Sequence, residues 1–252
     1  MKQTINYLLS RHPPLYRLAL RAIQSPNIEK MTFLHLIKDG DVVFDIGANR
    51  GDFTILFSHI VGRNGIAHAF EPVPPTFEEL SHRILNECRF QNVSLNNCAL
   101  GESEGHFQIQ VPSGDFGQAS LKNHAVASWS KPGRDSFDCS VRTLDAYVAE
   151  KKIHRMDFVK IDIEGAELPA LRGGQQTIER FHPIIHFEYF AKWTEAFGYA
   201  AVHLVSFLQT CGYTHFYSGS LLPLRSPVKE LEDIAESQNV ICSIKPVVST
   251  SA

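Results

Sequence analysis

Several short apolar runs carry acidic side chains that could bind a cation or move a proton. Asp45 lies in VVFDIGANRG, Glu71 in AHAFEP, Asp162 and Glu164 in VKIDIEGAE, and Glu188 in IIHFEY. A carboxylate can pair with an ammonium group, accept hydrogen bonds from hydroxyl groups, or take up a proton as a general base. The spacing of these acids along the chain therefore predicts a small-molecule site.

The run VVFDIGANRG also predicts a turn that binds a cofactor. Gly47 allows the chain to turn tightly, Gly51 lets a ligand approach the backbone, and the following helix offers unpaired N–H groups to an anion. The spacing is G-x-x-x-G with Asn49 in the middle, whereas a dinucleotide loop has G-x-G-x-x-G. Asp45 would repel a pyrophosphate but attract an ammonium group. These features favour a cofactor that carries both an amine and a carboxylate, as the methionine part of S-adenosylmethionine does, with Asn49 among its contacts.

Glu71 provides a second cofactor signal at the end of the next predicted strand. It follows Gly51 by 20 residues, where an acid can accept hydrogen bonds from both ribose hydroxyls. We count Pro72, the next residue, among the predicted cofactor contacts. Each signal also has an ordinary structural explanation, and their combination is what favours the cofactor.

The acids of VKIDIEGAE predict the catalytic side of the site. With a strand period of two, Lys160, Asp162 and Glu164 would share one side, at the carboxyl end where open α/β sheets bind ligands. Asp162 is thus both a predicted cofactor contact and the preferred general base. His186 and Glu188 share a face of the next predicted strand and are further catalytic candidates.

Alternatives remain open for each of these catalytic candidates. Asp162 and Glu164 could cap the following helix instead, and His186 could be a core histidine. Asp162, Glu188 and His186 could also hold a divalent cation, but their spacing is not typical of ligands, so metal is not favoured.

The elements that position these residues alternate between strands and helices, which predicts an α/β sheet. From 41 to 100 the order strand, helix, strand, helix, strand is half of a doubly wound fold. The predicted strands cover 41–46, 65–72, 93–100, 156–165, 183–190 and the runs YTHFY and NVICSI, about seven in all. The predicted helices cover 52–61, 74–87, 143–152, the short run AELPALRGG and 200–212.

An insert at about 102–142 interrupts this rhythm. The runs GHFQIQV and FDCSVR look like antiparallel strands around a Gly-, Ser- and Pro-rich loop, and we expect the resulting hairpin to lie over the site as a lid. Trp193 could line the pocket or simply anchor its helix to the core. The candidate pocket walls are Phe116, Gln118, Ser120 and Trp129 of the insert, with Tyr189 and Trp193 of EYFAKW.

Composition limits the class of protein. The chain has 252 residues, is 44% hydrophobic and 20% charged, and has a formal net charge of −3. It therefore resembles a soluble globular protein, with no basic field for nucleic acid and no segment suited to cross a membrane. Five widely spaced cysteines without a C-x-x-C pair favour a reducing cytoplasm.

The first 38 residues predict a helical leader packed on a domain that spans 39–252. A less favoured alternative is that the leader lies on a membrane surface. The leader's apolar face would carry Leu15, Leu18, Ala19, Ala22 and Ile23, with Arg17 and Arg21 on another face.

From about residue 40 to 190 the sequence resembles the FkbM-type S-adenosylmethionine-dependent methyltransferases. The resemblance is carried by FDIGANRGDFTILFS, AFEPVPPTFEELSHRI, NNCALGE, TLDAYV and, most specifically, MDFVKIDIEGAELPALRGG. It implies a Rossmann-like class I methyltransferase fold, with a seven-stranded, mostly parallel sheet whose last strand is antiparallel. It further implies methyl transfer to a hydroxyl group of a sugar or other small molecule.

The resemblance also assigns roles to residues. Asp45, Gly47 and Gly51 would contact the methionine end of the cofactor, and Glu71 would hold the ribose. Cys98, Ala99 and Leu100 would line the adenine, although apolar residues there could equally belong to the core.

These observations predict a cytoplasmic S-adenosylmethionine-dependent O-methyltransferase that acts on a small-molecule or glycosidic hydroxyl. Methyl transfer needs alignment, exclusion of water and removal of a proton, and it needs no nucleophilic Ser or Cys. One alternative is an NAD(P)-dependent oxidoreductase, for which the GANRG loop is poorly suited, and another is a non-catalytic cofactor-binding module. We expect no nucleic-acid partner and no integral membrane association, and a homodimer is possible.

Overall fold

The computed structural model describes residues 28–112, 115–124, 129, 133–234 and 236–247. Most of the predicted leader, including the amphipathic stretch, lies outside the described residues. Its described part contains helix α1 (Ile28–Leu36). Phe33 of α1 is fully buried and packs edge-on against Phe53, Phe57 and Phe158, with ring centroids 5.1–5.6 Å apart.

Nine α-helices and ten strands follow one another in the described residues. The helices are α1, α2 (Asp52–Val61), α3 (Pro74–His82), α4 (Leu144–Glu150), α5 (Glu167–Arg172), α6 (Gln175–Phe181), α7 (Ala191–Ala196), α8 (Ala201–Thr210) and α9 (Pro227–Glu232). The strands are β1 (Val42–Ile46), β2 (Ile66–Phe70), β3 (Val93–Asn96), β4 (Ala99–Leu100), β5 (Gly105–Pro112), β6 (Arg134–Arg142), β7 (Phe158–Ile161), β8 (Ile184–Tyr189), β9 (His215–Ser218) and β10 (Gln238–Ser243).

Seven strands form the main sheet in the order β3-β2-β1-β7-β8-β10-β9. All neighbours pair in parallel except β10, which runs antiparallel to β8 and β9. This confirms the predicted Rossmann-like, doubly wound fold with an antiparallel last strand. The strand order reverses between β1 and β7, so their carboxyl ends border the crevice where such sheets bind ligands.

Helices cover both faces of the sheet. Phe44 and Ile46 of β1 point into a large core with α4, α5 and α8, while Val43 points into a second core under α1 and α2. Asp45 points to the same side as Val43 because side chains alternate along a strand. No helix in the described ranges is long and apolar enough to span a membrane.

The predicted strand 93–100 is wrong as a single element. It consists of β3 in the main sheet and β4 in a second, three-stranded sheet of order β4-β6-β5. The break falls at Asn97, whose side-chain amide donates to the carbonyl oxygens of Glu71 (2.8 Å) and Pro72 (3.2 Å) and so turns the chain away. In the second sheet β5 and β6 pair antiparallel from Gly105↔Val141 to Pro112↔Arg134.

The predicted strand 156–165 is also too long, because β7 ends at Ile161. Glu164 adopts a left-handed backbone conformation, with φ of 55°. The expectation that Lys160, Asp162 and Glu164 share one side of a strand is therefore wrong for Glu164, which lies in a turn.

Candidate active site

A cavity of about 550 Å³ lies at the carboxyl ends of β1, β2 and β7, beneath the segment that joins β5 to β6. The predicted site residues that line it are Gly47, Asn49, Glu71, Pro72, Cys98, Ala99, Leu100, Phe116, Ser120 and Asp162, together with Glu164. The described residues that line it do not include Asp45, Gly51, Gln118, Trp129, His186, Glu188, Tyr189 or Trp193.

Gly47 forms the tightest point of the cavity wall. Its φ is +82°, and a Cβ atom added there would lie 1.9 Å from the carbonyl oxygen of Asp162. The adjacent amides of Gly47 and Ala48 both donate to the Phe70 carbonyl, at 3.1 and 2.9 Å. Only glycine can hold this left-handed turn so close to the β7 end.

Gly51 has a packing role between two helices. It begins α2 with φ of +86°, and a Cβ atom there would lie 2.5 Å from Leu80 Cδ1. The missing side chain thus allows α2 to pack against α3.

Glu71 is fixed by the cofactor loop itself. Its Oε2 accepts a hydrogen bond from the Asn49 amide at 3.0 Å, and its Oε1 accepts one from the Val73 amide at 2.9 Å. Asn49 itself has φ of 48°, which asparagine tolerates better than most residues. Burial raises the pKa of Glu71 to about 7, against the effect of these two amides.

Asp45 is fully buried behind the cavity wall. Thr54 Oγ1 donates to its Oδ2 at 2.6 Å, while its Oδ1 lies 3.9 Å from Lys160 Nζ. Burial raises the pKa of Asp45, and the Lys160 ammonium opposes this rise. Direct contact between Asp45 and a ligand in the cavity would require this wall to open.

Asp162 presents its carboxylate to the cavity. Its side chain keeps 38% of its surface accessible, and its Oδ2 accepts a hydrogen bond from Lys160 Nζ at 3.0 Å. Burial raises the pKa of Asp162, but the charge and hydrogen bond of Lys160, together with smaller contributions that include the Glu188 hydrogen bond, more than offset it, and the net pKa is lowered. Asp162 is therefore a carboxylate held ionised at the wall of the cavity.

Glu188 and His186 lie on β8, outside the cavity lining. Glu188 is within hydrogen-bonding reach of Asp162, and burial and the Asp162 charge raise its pKa. His186 is fully buried and packs edge-on against Phe33, with ring centroids 4.8 Å apart. Burial lowers the pKa of His186 to about 3, which keeps its ring neutral. His186 therefore lies in the core, as one alternative from the sequence had it, but neither of its ring nitrogens has a hydrogen-bond partner among the described residues.

A turn held by a buried acid carries Glu164. Glu167 Oε1 accepts hydrogen bonds from the amides of Ile163 (3.1 Å) and Gly165 (3.3 Å), and its Oε2 accepts one from the Tyr199 hydroxyl (3.2 Å). The acid that organises the start of α5 is therefore Glu167, while Asp162 and Glu164 remain directed to the cavity.

Glu164 is expected to make stability depend on pH. Burial, with the charges of Asp162 and Glu188, raises the pKa of Glu164 to about 9 from an ordinary value of 4.5. The folded state thus holds a proton that the unfolded state releases, so this contribution is complete below pH 4.5 and is lost as pH rises to 9. We expect Glu164→Gln to lose less Tm than the wild type between pH 7 and 9.

Thermal unfolding at several pH values measures this effect, since 1 kcal/mol corresponds to about 2–4 °C in a protein of this size. The exposed Glu78→Gln is the matched control. Equal slopes of Tm against pH for Glu164→Gln and the wild type would contradict the prediction.

The insert covers the cavity with its segment from Asp115 to Leu121. Ser120 Oγ lies 2.7 Å from His124 Nε2, and His124 packs against Trp129 and Trp193 with centroids 5.1 and 4.1 Å away. Trp193 therefore anchors the insert to α7, which corresponds to the core alternative for this residue.

Lys160 and Glu167 have roles in the site that the sequence pattern does not predict. The position of Lys160 inside the apolar run FVKI is the sequence feature that could have predicted a buried ion pair. In the described part of the chain, no group of three or more His, Cys, Asp or Glu side chains is arranged to hold a metal ion.

Comparison with known sequences identifies a family for this chain. The Methyltransferase FkbM domain matches residues 45–214, more than half of the chain. The 31-O-demethyl-FK506 methyltransferase FkbM of Streptomyces tacrolimicus is 27% identical over 165 residues, covering 54% of this chain and 60% of that protein. Methyltransferase 1 of Beauveria bassiana is 28% identical over 149 residues, covering 54% and 59%. The matches thus span about three fifths of the length of these relatives.

Among solved structures, the Methyltransferase FkbM from Methylobacillus flagellatus KT is similar with a TM-score of 0.51. The likeness covers 96% of this chain and 59% of that one at 13% sequence identity. At 13% sequence identity, this similarity is evidence for the fold alone.

Proposed function

Because the chain belongs to the FkbM methyltransferase family, we propose that it is an S-adenosylmethionine-dependent O-methyltransferase whose acceptor is a hydroxyl group of a sugar or other small molecule. One observation carries this proposal. A single cavity brings the Gly47 turn and Glu71 together with Asp162, an ionised acid with accessible surface. The first two residues suit a cofactor, and the third suits proton removal.

The cavity has features that fit S-adenosylmethionine. Each Glu71 oxygen accepts one backbone hydrogen bond, which leaves further lone pairs for ribose hydroxyls. Apolar side chains of Phe70, Leu100 and Ile109 line the cavity and suit an adenine ring. The close approach at Gly47 leaves backbone, without a side chain, beside the methionine end.

The charge of the cavity supports a cationic cofactor. Asp162 supplies a negative charge to the cavity, while Glu164, whose pKa is raised to about 9 by burial and by the Asp162 charge, holds a proton at neutral pH. A positive ligand would be attracted by the Asp162 carboxylate. When bound, S-adenosylmethionine would supply an electrophilic methyl group carried on a positively charged sulfur.

The chain's own residues would orient the acceptor and take its proton. We assign the hydroxyl proton to the carboxylate of Asp162, which leaves the oxygen's electron pair to form the new bond. The segment Asp115–Leu121 covers the cavity and would limit the access of water. Glu188 supports Asp162 from β8, and His186 has no direct part.

We also propose a cytoplasmic location. All five cysteines are buried, and Cys98, Cys139, Cys211 and Cys242 carry free thiols, which suits a reducing compartment. The acceptor remains a small molecule or glycoside in this proposal, because no basic field gathers nucleic acid.

Calorimetric titration with S-adenosylhomocysteine and with NAD separates the methyltransferase from an oxidoreductase. We expect S-adenosylhomocysteine to bind and NAD not to bind. Incubation with labelled S-adenosylmethionine and a metabolite extract should then yield a labelled product whose mass identifies the acceptor. Absence of S-adenosylhomocysteine binding would reject the proposal, and binding without any labelled product would favour a non-catalytic module.

A further inference from the structure

Lys160 is a buried cation between two carboxylates that have different surroundings. Its Nζ lies 3.0 Å from Asp162 Oδ2 and 3.9 Å from Asp45 Oδ1. Its side chain is only 2% exposed, and the ammonium lies 5.1 Å from the centre of the Phe53 ring. Asp162 lines the cavity, whereas Asp45 does not. One ammonium therefore joins an acid of the site to an acid behind it.

The sheet register fixes this arrangement. Asp45 of β1 pairs with Lys160 of β7, which pairs with His186 of β8. All three side chains lie on the face covered by α1 and α2. Because adjacent strands hold them side by side, Lys160 can reach Asp45 and Asp162 from one backbone position.

Asp45 has an oxygen available for a closer contact. Its Oδ2 is occupied by Thr54 Oγ1 at 2.6 Å, but its buried Oδ1 has no hydrogen-bond partner among the described residues. A buried carboxylate oxygen without a partner is costly, so such an atom calls for an explanation. The cation nearest to Asp45 Oδ1 is the Lys160 ammonium, which in this structure donates its hydrogen bond to Asp162 instead.

A lysine paired with Asp162 alone would oppose proton removal. If Asp162 took up a proton, a buried ammonium would lose its counter-charge, which is strongly unfavourable. We propose, on the basis of the proposed function, that Lys160 is a positioning residue. It holds Asp162 towards the acceptor, and its ammonium shifts to Asp45 Oδ1 as Asp162 becomes protonated. Asp45 thereby keeps Lys160 paired in both protonation states of Asp162.

Other charged groups that face Lys160 come from two further elements. Glu29 of α1 and Glu188 of β8 both contribute negative charge near it, and His186 stays neutral. Burial raises the pKa of Glu29 to about 7, with Lys160 opposing the rise. Because the pKa values of both acids are raised, neither is a full counter-charge for Lys160 near neutral pH. Asp45 is the acid other than Asp162 for which a Lys160 ion pair is present.

The proposal predicts opposite shifts in the titration of Asp162. Lys160→Met removes the cation and should raise the Asp162 titration midpoint by about one pH unit or more. Asp45→Asn leaves Lys160 with Asp162 alone and should lower that midpoint. Lys160→Arg keeps the charge and should restore most of the wild-type value. A general loss of stability cannot produce shifts in both directions.

The test is NMR titration of protein labelled with ¹³C at aspartate side-chain carboxyls, with Asp162→Asn to assign the resonance. Lys229→Met, an exposed lysine on α9, is the matched control and should leave the midpoint unchanged. Lys160→Met could fail to fold because it leaves Asp45 buried without a cation. The double variant Asp45→Asn/Lys160→Met removes both charges, and it should also titrate above the wild type.

An unchanged Asp162 midpoint in Lys160→Met and in the double variant would overturn the role of Lys160. An unchanged midpoint in Asp45→Asn would overturn the shift to Asp45. Binding of S-adenosylhomocysteine to the wild type is measured in parallel. Its absence would reject the proposed function, whereas unchanged midpoints with intact binding would reject only this inference.

Discussion

Replacing Asp162 by asparagine is expected to lower the rate of methyl transfer by a factor of about 10²–10⁴, the usual range for loss of a general base. An amide cannot take the acceptor proton at neutral pH. Its oxygen can still accept the hydrogen bond that Lys160 Nζ donates at 3.0 Å. The fold and the binding of S-adenosylhomocysteine should therefore be retained.

Two measurements check this prediction. Turnover is followed with labelled S-adenosylmethionine and the acceptor found by mass, and calorimetry gives the affinity for S-adenosylhomocysteine. Asp135→Asn, on an exposed part of β6, is the matched control and should keep wild-type turnover. Full activity in Asp162→Asn would remove Asp162 as the base and leave Glu164, which also lines the cavity, as the next acid to test.

Replacing Gly47 by alanine is expected to destabilise the protein and abolish cofactor binding. The left-handed conformation at φ +82° costs about 1–2 kcal/mol for a residue with a Cβ atom. The Cβ would also lie 1.9 Å from the Asp162 carbonyl oxygen, and such overpacking adds about 1–3 kcal/mol. The free energy of unfolding should fall by about 2–5 kcal/mol, because relief requires the β1 and β7 ends to separate.

Gly198→Ala separates these two contributions. Gly198 has a similar φ of +76°, but a Cβ atom there has no neighbour within 4 Å in the described residues. The Gly198→Ala variant should lose only the part of the free energy of unfolding that comes from the left-handed conformation. It should keep its affinity for S-adenosylhomocysteine. Chemical denaturation and calorimetry of both variants measure the difference. Equal destabilisation and intact binding in both variants would show that the contact with Asp162 contributes to neither stability nor cofactor binding.

Local sequence determined the elements of the cofactor half of the molecule. The run 42–61 encodes a buried strand, a glycine turn and a helix, and the structure contains β1 and α2 at these positions. The position of Glu71 is predictable for the same reason. Once the start of the second strand is known, its end is fixed to within a residue or two. Contacts set by neighbours in sequence, or by the common rules of α/β sheets, need no tertiary information.

The location of Asp45 and the pairing of Lys160 depend on the tertiary structure. The sequence shows an acid before a glycine turn, which suits contact with a ligand, yet the fold buries Asp45 under α2 beside Lys160. The two residues are more than a hundred positions apart and meet only because β1 pairs with β7. Strand order and register are set by packing of the whole sheet, so the spacing of residues along one strand cannot disclose them.

The end of β7 also shows which features follow from the sequence and which from the tertiary structure. The sequence alone determined that acids gather at a strand end, since KIDIEG places them beside an apolar run. Only the tertiary structure decided which acid does what: Glu167 holds the turn, Glu164 lies in a left-handed conformation, and Asp162 points to the cavity. Backbone hydrogen bonds to a buried carboxylate fix that choice, and they form only once α5 has packed against the sheet.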